Sequence, residues 1–176
     1  MAYELLVGPP KVISFYYTVD GLFNKDSLWS MYKAINKVDN EGNTLLDELS
    51  ITEDERDIFL EFLSDGVFDV FARLLKYTKG ITANAILFNE AYVPDGGVSA
   101  LSCVVKIIDN DAYNDNYLSP IDKILEKCLR FYVLKEWMAM KDLDADAAKF
   151  GINYNLSVNR LLRHSMQLKK AAITVV

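Results

Sequence analysis

Two long amphipathic segments in the second half of the chain, residues 120–141 and 145–167, constrain the fold more than anything else in the sequence. In the first, Ile121, Ile124, Leu125, Cys128, Phe131, Tyr132, Leu134, Trp137 and Met138 recur at three- and four-residue steps and cover more than half of a helix circumference. Such a helix needs neighbours on two sides. Ser119 as N-cap, Pro120 at the first helical position and Asp122 in the first turn make a coherent start. Asp142, Leu143 and Asp144 break the pattern and cap the next helix. There Phe150, Tyr154, Val158, Leu161, Leu162 and Met166 form one stripe, with Arg160, Arg163, Lys169 and Lys170 off it. The two segments predict a helical hairpin over residues 119–170, built for packing: no cluster of catalytic or metal-binding residue types interrupts either stripe.

Upstream, residues 11–19 are rich in Val, Ile, Phe, Tyr and Thr and read as a strand ending at Asp20 and Gly21. Residues 26–37 read as a short helix capped by Asn24 or Asp26, with Leu28, Trp29, Tyr32 and Ile35 as its apolar stripe and Trp29 in the core. Asp39 to Asn43 reads as a turn. Thr52, Glu53, Asp54 and Glu55 fit a capping box that opens a helix over 52–79. Ile58, Phe59, Phe62, Leu63, Val67, Val70, Phe71 and Leu74 give that helix one broad apolar face. Phe68 is assigned to the core with Phe59, Phe62 and Phe71, and Gly66 marks a close approach by a neighbour. Lys76, Lys79 and Gly80 suit its C-terminus. Residues 83–93 and 98–109 read as strands of a hairpin turning at Pro94, Asp95, Gly96 and Gly97. The expected fold is one α+β domain over residues 1–176, mainly helical: a bundle of three to four helices with a small antiparallel β-hairpin or sheet. Phe62, Phe71, Leu125, Tyr132, Val158 and Leu162 are its expected core.

The 176 residues suffice for a sizeable core, and the composition is that of a globular chain. A net charge of −6 argues against a general nucleic-acid binder. No apolar run is long enough for a membrane span, and Met1, Ala2, Tyr3 and Glu4 do not begin a signal peptide. Cys103, on a strand, and Cys128, on a helix, read as buried free thiols in a reducing cytoplasm.

The residues that could carry chemistry are sparse. His164 is the only histidine and has Arg160, Arg163 and Ser165 beside it rather than an orienting carboxylate, so it reads as a partly exposed helix residue. Neither cysteine sits in a nucleophile motif. Asp109, Asp111, Asn114, Asp115 and Asn116 have the residue types of a calcium loop but not its spacing, since Tyr113 falls where a ligand belongs. Gly96 and Gly97 belong to a hairpin rather than a phosphate cradle. No catalytic, metal or cofactor-binding residue is assigned. Asp47, Glu48, Glu53, Asp54, Glu55 and Asp57 make an acidic face opposed by a basic last helix, and a molecule with two such faces can stack head to tail. The candidate interface residues are Tyr92, Asp95, Tyr113, Tyr117, Arg160, Arg163, Lys169 and Lys170, with the tail after Leu168 also reaching a neighbour.

Two stretches carry a family resemblance. One is Ile51, Thr52, Glu53, Asp54, Glu55, Arg56, Asp57, Ile58, Phe59 and Leu60 with the helix that follows. The other is the final helix pair, including Phe131, Tyr132, Val133, Leu134, Lys135, Glu136 and Trp137. In size and order of elements the chain resembles the head–tail connector, or neck ring, proteins of tailed bacteriophages of gut bacteria. Its N-terminal strand and apolar tail depart from that pattern. The resemblance implies a non-enzymatic virion protein assembled in the host cytoplasm. It would form a homo-oligomeric ring, twelve-fold, between the portal protein and other neck or tail proteins, with DNA passing through the lumen without sequence-specific binding. The alternative is a cytoplasmic helical adaptor or regulator that binds a single protein partner. An enzyme with an unrecognised site is a third reading.

Overall fold

A strand from the N-terminal end of the chain enters the middle of a sheet. The β-branched and aromatic run forms β2 (Lys11–Thr18), flanked by β1 (Ala2–Leu6) and by β4 (Ser102–Asp109), with β3 (Gly80–Leu87) outside β4. The order is β1-β2-β4-β3 and every pairing is antiparallel. Tyr16 opposes Ala2 on one side and Val104 on the other. The computed structural model describes the backbone of residues 2–6, 11–74, 80–87, 102–109 and 118–170, and side-chain surroundings within 15–74 and 119–164. The expected hairpin turn at 94–97, the Asp/Asn loop beyond Asp109 and the tail after 170 lie outside those residues.

The helices are α1 (Val19–Ala34), the short α2 (Leu46–Leu49), α3 (Arg56–Leu74), α4 (Leu118–Met140) and α5 (Asp144–Lys170). The fold is mainly helical, a bundle with a small antiparallel sheet, as the sequence predicts. The first helix starts seven residues earlier than expected. Asp20 and Gly21 do not end a strand in a turn; they form the first helical turn. Thr18 is the N-cap, its Oγ1 accepting from the Gly21 N–H at 3.2 Å. A Cβ at position 21 would stand 2.6 Å from that oxygen, so the cap needs glycine there.

The capping box is present: Thr52 N–H donates to Glu55 Oε2 at 2.9 Å, and a turn of 3-10 helix at Glu53–Glu55 leads into α3. α3 ends at Leu74, and Gly80, expected to close it, instead opens β3 opposite Ile108. α4 begins at Leu118, one residue before the expected cap Ser119. Pro120 therefore sits inside the first turn, where a missing N–H costs no intrahelical bond. Between α4 and α5, Asp142 takes the left-handed conformation at φ 56°. Its N–H reaches Ala139 O at 3.1 Å and the Leu143 N–H reaches Met138 O at 2.8 Å, the Schellman pattern that closes a helix.

α4 is the axis of the core. Ile121, Leu125, Cys128, Leu129, Val133, Leu134, Trp137 and Met138 are buried between α3 on one flank and α5 on the other. Trp137 Nε1 donates to Leu49 O at 2.8 Å and pins α2 to this axis. The Tyr17 hydroxyl lies 2.9 Å from Asp122 Oδ1 and ties the sheet to the start of α4. Of the expected core residues Leu125 and Val158 are fully buried, while Phe62, Phe71, Tyr132 and Leu162 pack at its edge.

Gly66 is where α3 and α4 come closest: a Cβ there would stand 3.0 Å from the Tyr132 ring. That ring is held from its other sides by Tyr154, with centroids 5.4 Å apart, and by Lys135 Nζ 4.4 Å above it, so it has little room to yield. Gly66→Ala is therefore expected to lower the thermal midpoint, because overpacking of about 1–3 kcal/mol outweighs a gain of about 1 kcal/mol in helix propensity. In a Tyr132→Ala background the same change should raise it. A higher midpoint for Gly66→Ala alone would contradict this packing.

Candidate interaction surface

The rotation of α1 about its axis decides what the molecule shows to solvent. Its inward side carries Val19, Leu22, Phe23, Asp26, Ser30 and Ala34. Two of these are polar, and each has a partner outside α1. Asp26 Oδ1 accepts from Arg130 Nε on α4 at 2.7 Å. Ser30 Oγ accepts from the Ile51 N–H at 2.8 Å and donates to Ser27 O at 2.8 Å, while Ser27 Oγ donates to Ile51 O at 2.8 Å. Lys25 and Glu126 add an ion pair on the rim. Desolvation pushes Asp26 up to about 7 against the pull of the Arg130 guanidinium, and its Oδ2 has no hydrogen-bond partner among the described residues.

With its polar side turned in, α1 leaves its apolar side out. Leu28, Trp29, Tyr32 and Ile35, expected as the buried stripe, are exposed, Trp29 by 45% and Tyr32 by 71%; Met31 and Val38 extend the patch. Trp29 is thus not a core residue, and its ring leans on Phe150 of α5 at a centroid distance of 6.4 Å. Trp29, Lys33, Lys149, Phe150, Ile152 and Asn153 line an open hollow of about 280 Å³ where the two helices meet.

α5 continues this surface. Lys149, Ile152, Leu156, Arg160 and Arg163 recur at helical spacing and are all exposed. Lys33, Lys37 and Lys149 crowd around one carboxylate, Asp146, at 3.4, 3.5 and 3.7 Å. Burial works the other way, yet the three lysines hold Asp146 below the ordinary carboxylate range. Three cations sharing one anion leave local positive charge, and no described residue forms an ion pair with Arg160 or Arg163. The face is apolar with a basic border.

α3 presents the opposite character. Asp57, Glu61, Asp65 and Phe68 stand exposed on one stripe, Phe68 by 52%. Phe68 was expected in the core; Gly66, Val67 and Val70 take the buried positions around it and turn it outward. Among the described residues none of the three carboxylates has an ion-pair partner. α1 engages α4 through Arg130 and α3 engages it through Tyr132. α1 and α3 also touch each other, through Phe23 against Phe59 at 5.2 Å and through the Arg56–Asp20 pair, so the two surfaces are separate outward rows on neighbouring helices and share no residue.

Of the residues expected at interfaces, Arg160 and Arg163 belong to the basic face. Lys169 and Lys170 lie at the end of α5, beyond the described side chains, and Tyr92, Asp95, Tyr113 and Tyr117 lie outside the described residues. The exposed row on α1 is missing from the expected set, although its helical spacing is plain in the sequence. Nothing local reveals that the opposite, polar side is the buried one.

Cys128 is buried and free, and burial pushes its thiol up to about 12, far from a reactive thiolate. Cys103 opposes Tyr17 in the sheet. His164 is half-buried near the end of α5. Among the described residues no three His, Cys, Asp or Glu side chains are grouped to hold a metal, and no helix is long and apolar enough to cross a membrane. No family model, curated protein or solved structure matches the chain.

The Asp26–Arg130 pair makes a pH prediction. Asp26 titrates higher in the folded chain, about 7, than at its ordinary 3.8. The folded state therefore binds the extra proton, and the stability Asp26 contributes is full below 3.8 and lost as pH rises through 7. Asp26→Asn removes that dependence. The stability difference, wild type minus variant, is expected to shrink between pH 4 and pH 7 in urea titrations. A difference that is constant or grows would contradict the buried setting of this carboxyl.

Proposed function

We propose that this chain is a non-enzymatic structural subunit that assembles with copies of itself, as a ring component of the neck joining portal to tail in a tailed phage. The observation that supports this reading most is the apolar row Leu28, Trp29, Tyr32 and Ile35 held outward on α1 and continued by Ile152 and Leu156. A contiguous exposed apolar surface with a charged rim is the usual mark of a protein–protein contact. The resemblance of the capping segment and the final helix pair to neck ring proteins supplies the biological setting. On this reading the protein resides in the virion after assembly in the host cytoplasm. Its contacts are its own copies, a portal protein and further neck or tail proteins. DNA runs through the lumen of a twelve-fold ring without being read.

Native mass spectrometry and negative-stain microscopy of the purified chain, alone and with a portal protein, test the reading. The expected result is a large discrete closed species. A strict monomer that also ignores portal would overturn it, and a one-to-one complex with a single non-identical partner would favour the adaptor reading.

A further inference from the structure

We infer that the occupant of the exposed α1–α5 face is the acidic stripe of α3 on a neighbouring copy of this chain; the inference rests on the assembly reading above and names its contact. Three observations carry it. The first is charge. The α1–α5 face is apolar and bordered by Lys33, Lys149, Arg160 and Arg163, whereas α3 offers Asp57, Glu61 and Asp65 beside the exposed Phe68. Each surface carries unneutralised charge of one sign around apolar side chains, and the signs are opposite. Complementary borders of this kind steer encounter and fix register, while the central aromatic and aliphatic groups supply the adhesion.

The second is symmetry. If the α1–α5 face met itself across a two-fold axis, Lys33, Lys149, Arg160 and Arg163 would confront their own copies, and the α3 carboxylates would do the same in an α3–α3 contact. Both like-charge contacts are unfavourable, and only the heterologous pairing relieves both surfaces.

The third is placement. The two surfaces are made of different residues, so a copy that gives its α3 stripe to one neighbour still has every side chain of its α1–α5 face to offer the next. Head-to-tail addition then continues until the rotation per subunit closes a ring. The exposed α5 stripe, Lys149 to Arg163, and the α3 stripe, Asp57 to Phe68, are both helical rows of three to four turns, so they are comparable in length.

Two variants with changes at exposed positions test this by sedimentation velocity. One carries Glu61→Lys and Asp65→Lys and keeps its α1–α5 face. The other carries Tyr32→Ser, Ile35→Ser and Leu156→Ser and keeps its α3 stripe. Wild type is expected to form multi-subunit species that weaken as salt is raised. Each variant alone should be a monomer of 20.0 kDa. Their equimolar mixture should stop at one species of about 40 kDa, twice the chain mass, because a single intact joint remains. Circular dichroism melts of each variant confirm that both still fold. If wild type assembles and either variant alone assembles equally well, or if the mixture stays monomeric, this contact is wrong while the assembly reading stands. If wild type forms an open filament or a small closed oligomer and the mixture still yields the dimer, the contact is right and the twelve-fold ring is wrong. A wild type that stays monomeric at its highest soluble concentration overturns this contact, and one that also ignores portal overturns the assembly reading with it.

Discussion

The setting of α1 depends on one buried carboxyl and the guanidinium that meets it. Asp26 is fully enclosed, and Arg130 on α4 is the cation that makes its enclosure tolerable. Removing either partner would strand the other in a poorly solvated site, which is far more costly than the pair is stabilising. The bonds from Ser27 and Ser30 to the backbone of Ile51 reinforce the same rotation and hold the segment leading into the Thr52 capping box. Together they commit the polar side of α1 to the interior, and the apolar side is left outside. The molecule gives up burial of Leu28, Trp29, Tyr32 and Ile35 in exchange for a fixed helix orientation.

This trade is intelligible for a building block. A helix packed by apolar contact alone can slide or rotate among several near-equivalent settings, whereas a directional pair such as Asp26–Arg130 admits few. The pair connects residues 104 apart in sequence, and the Tyr17–Asp122 and Trp137–Leu49 bonds do the same for the sheet and for α2. Each of these long-range polar links ends on α4, whose apolar circumference serves α3 and α5 at once. The surface groups are thereby placed on a rigid frame, and a docking face on such a frame loses little conformational entropy when it is covered.

The sequence discloses some of this plainly and hides the rest. The capping box at Thr52, the break at Asp142 and the two-sided character of residues 120–141 are local signals, and the structure matches them. Gly66 announces a close approach without naming Tyr132. The start of α1 is harder, because Asp20 and Gly21 suit a turn as well as they suit a first helical turn capped by Thr18. β1, with its short run Ala2–Leu6, gives no clear strand pattern, and its pairing with β2 depends on chain contacts no local window contains. The orientation of α1 is the deepest case. Periodicity locates a stripe but does not say which side is buried once the polar side finds partners on α4 and at Ile51. Half of the expected interface set falls on residues 92, 95, 113 and 117, outside the described structure. Arg160 and Arg163 are where a basic, solvent-facing stripe on α5 would put them.

An outward apolar row on α1 and a one-sided charge pattern on α3 and α5 are both set by the internal frame, and both support the proposal that the chain meets its own copies head to tail. Hydroxyl-radical footprinting of Leu28, Trp29, Tyr32 and Ile35, in dilute monomer and in the concentrated assembled state, tests that frame most directly. Heavy labelling of all four in the monomer and strong protection on assembly is the result this structure predicts. Protection already present in the monomer would mean that α1 is rotated otherwise, and equal labelling in both states would mean that the row is not what neighbouring copies cover.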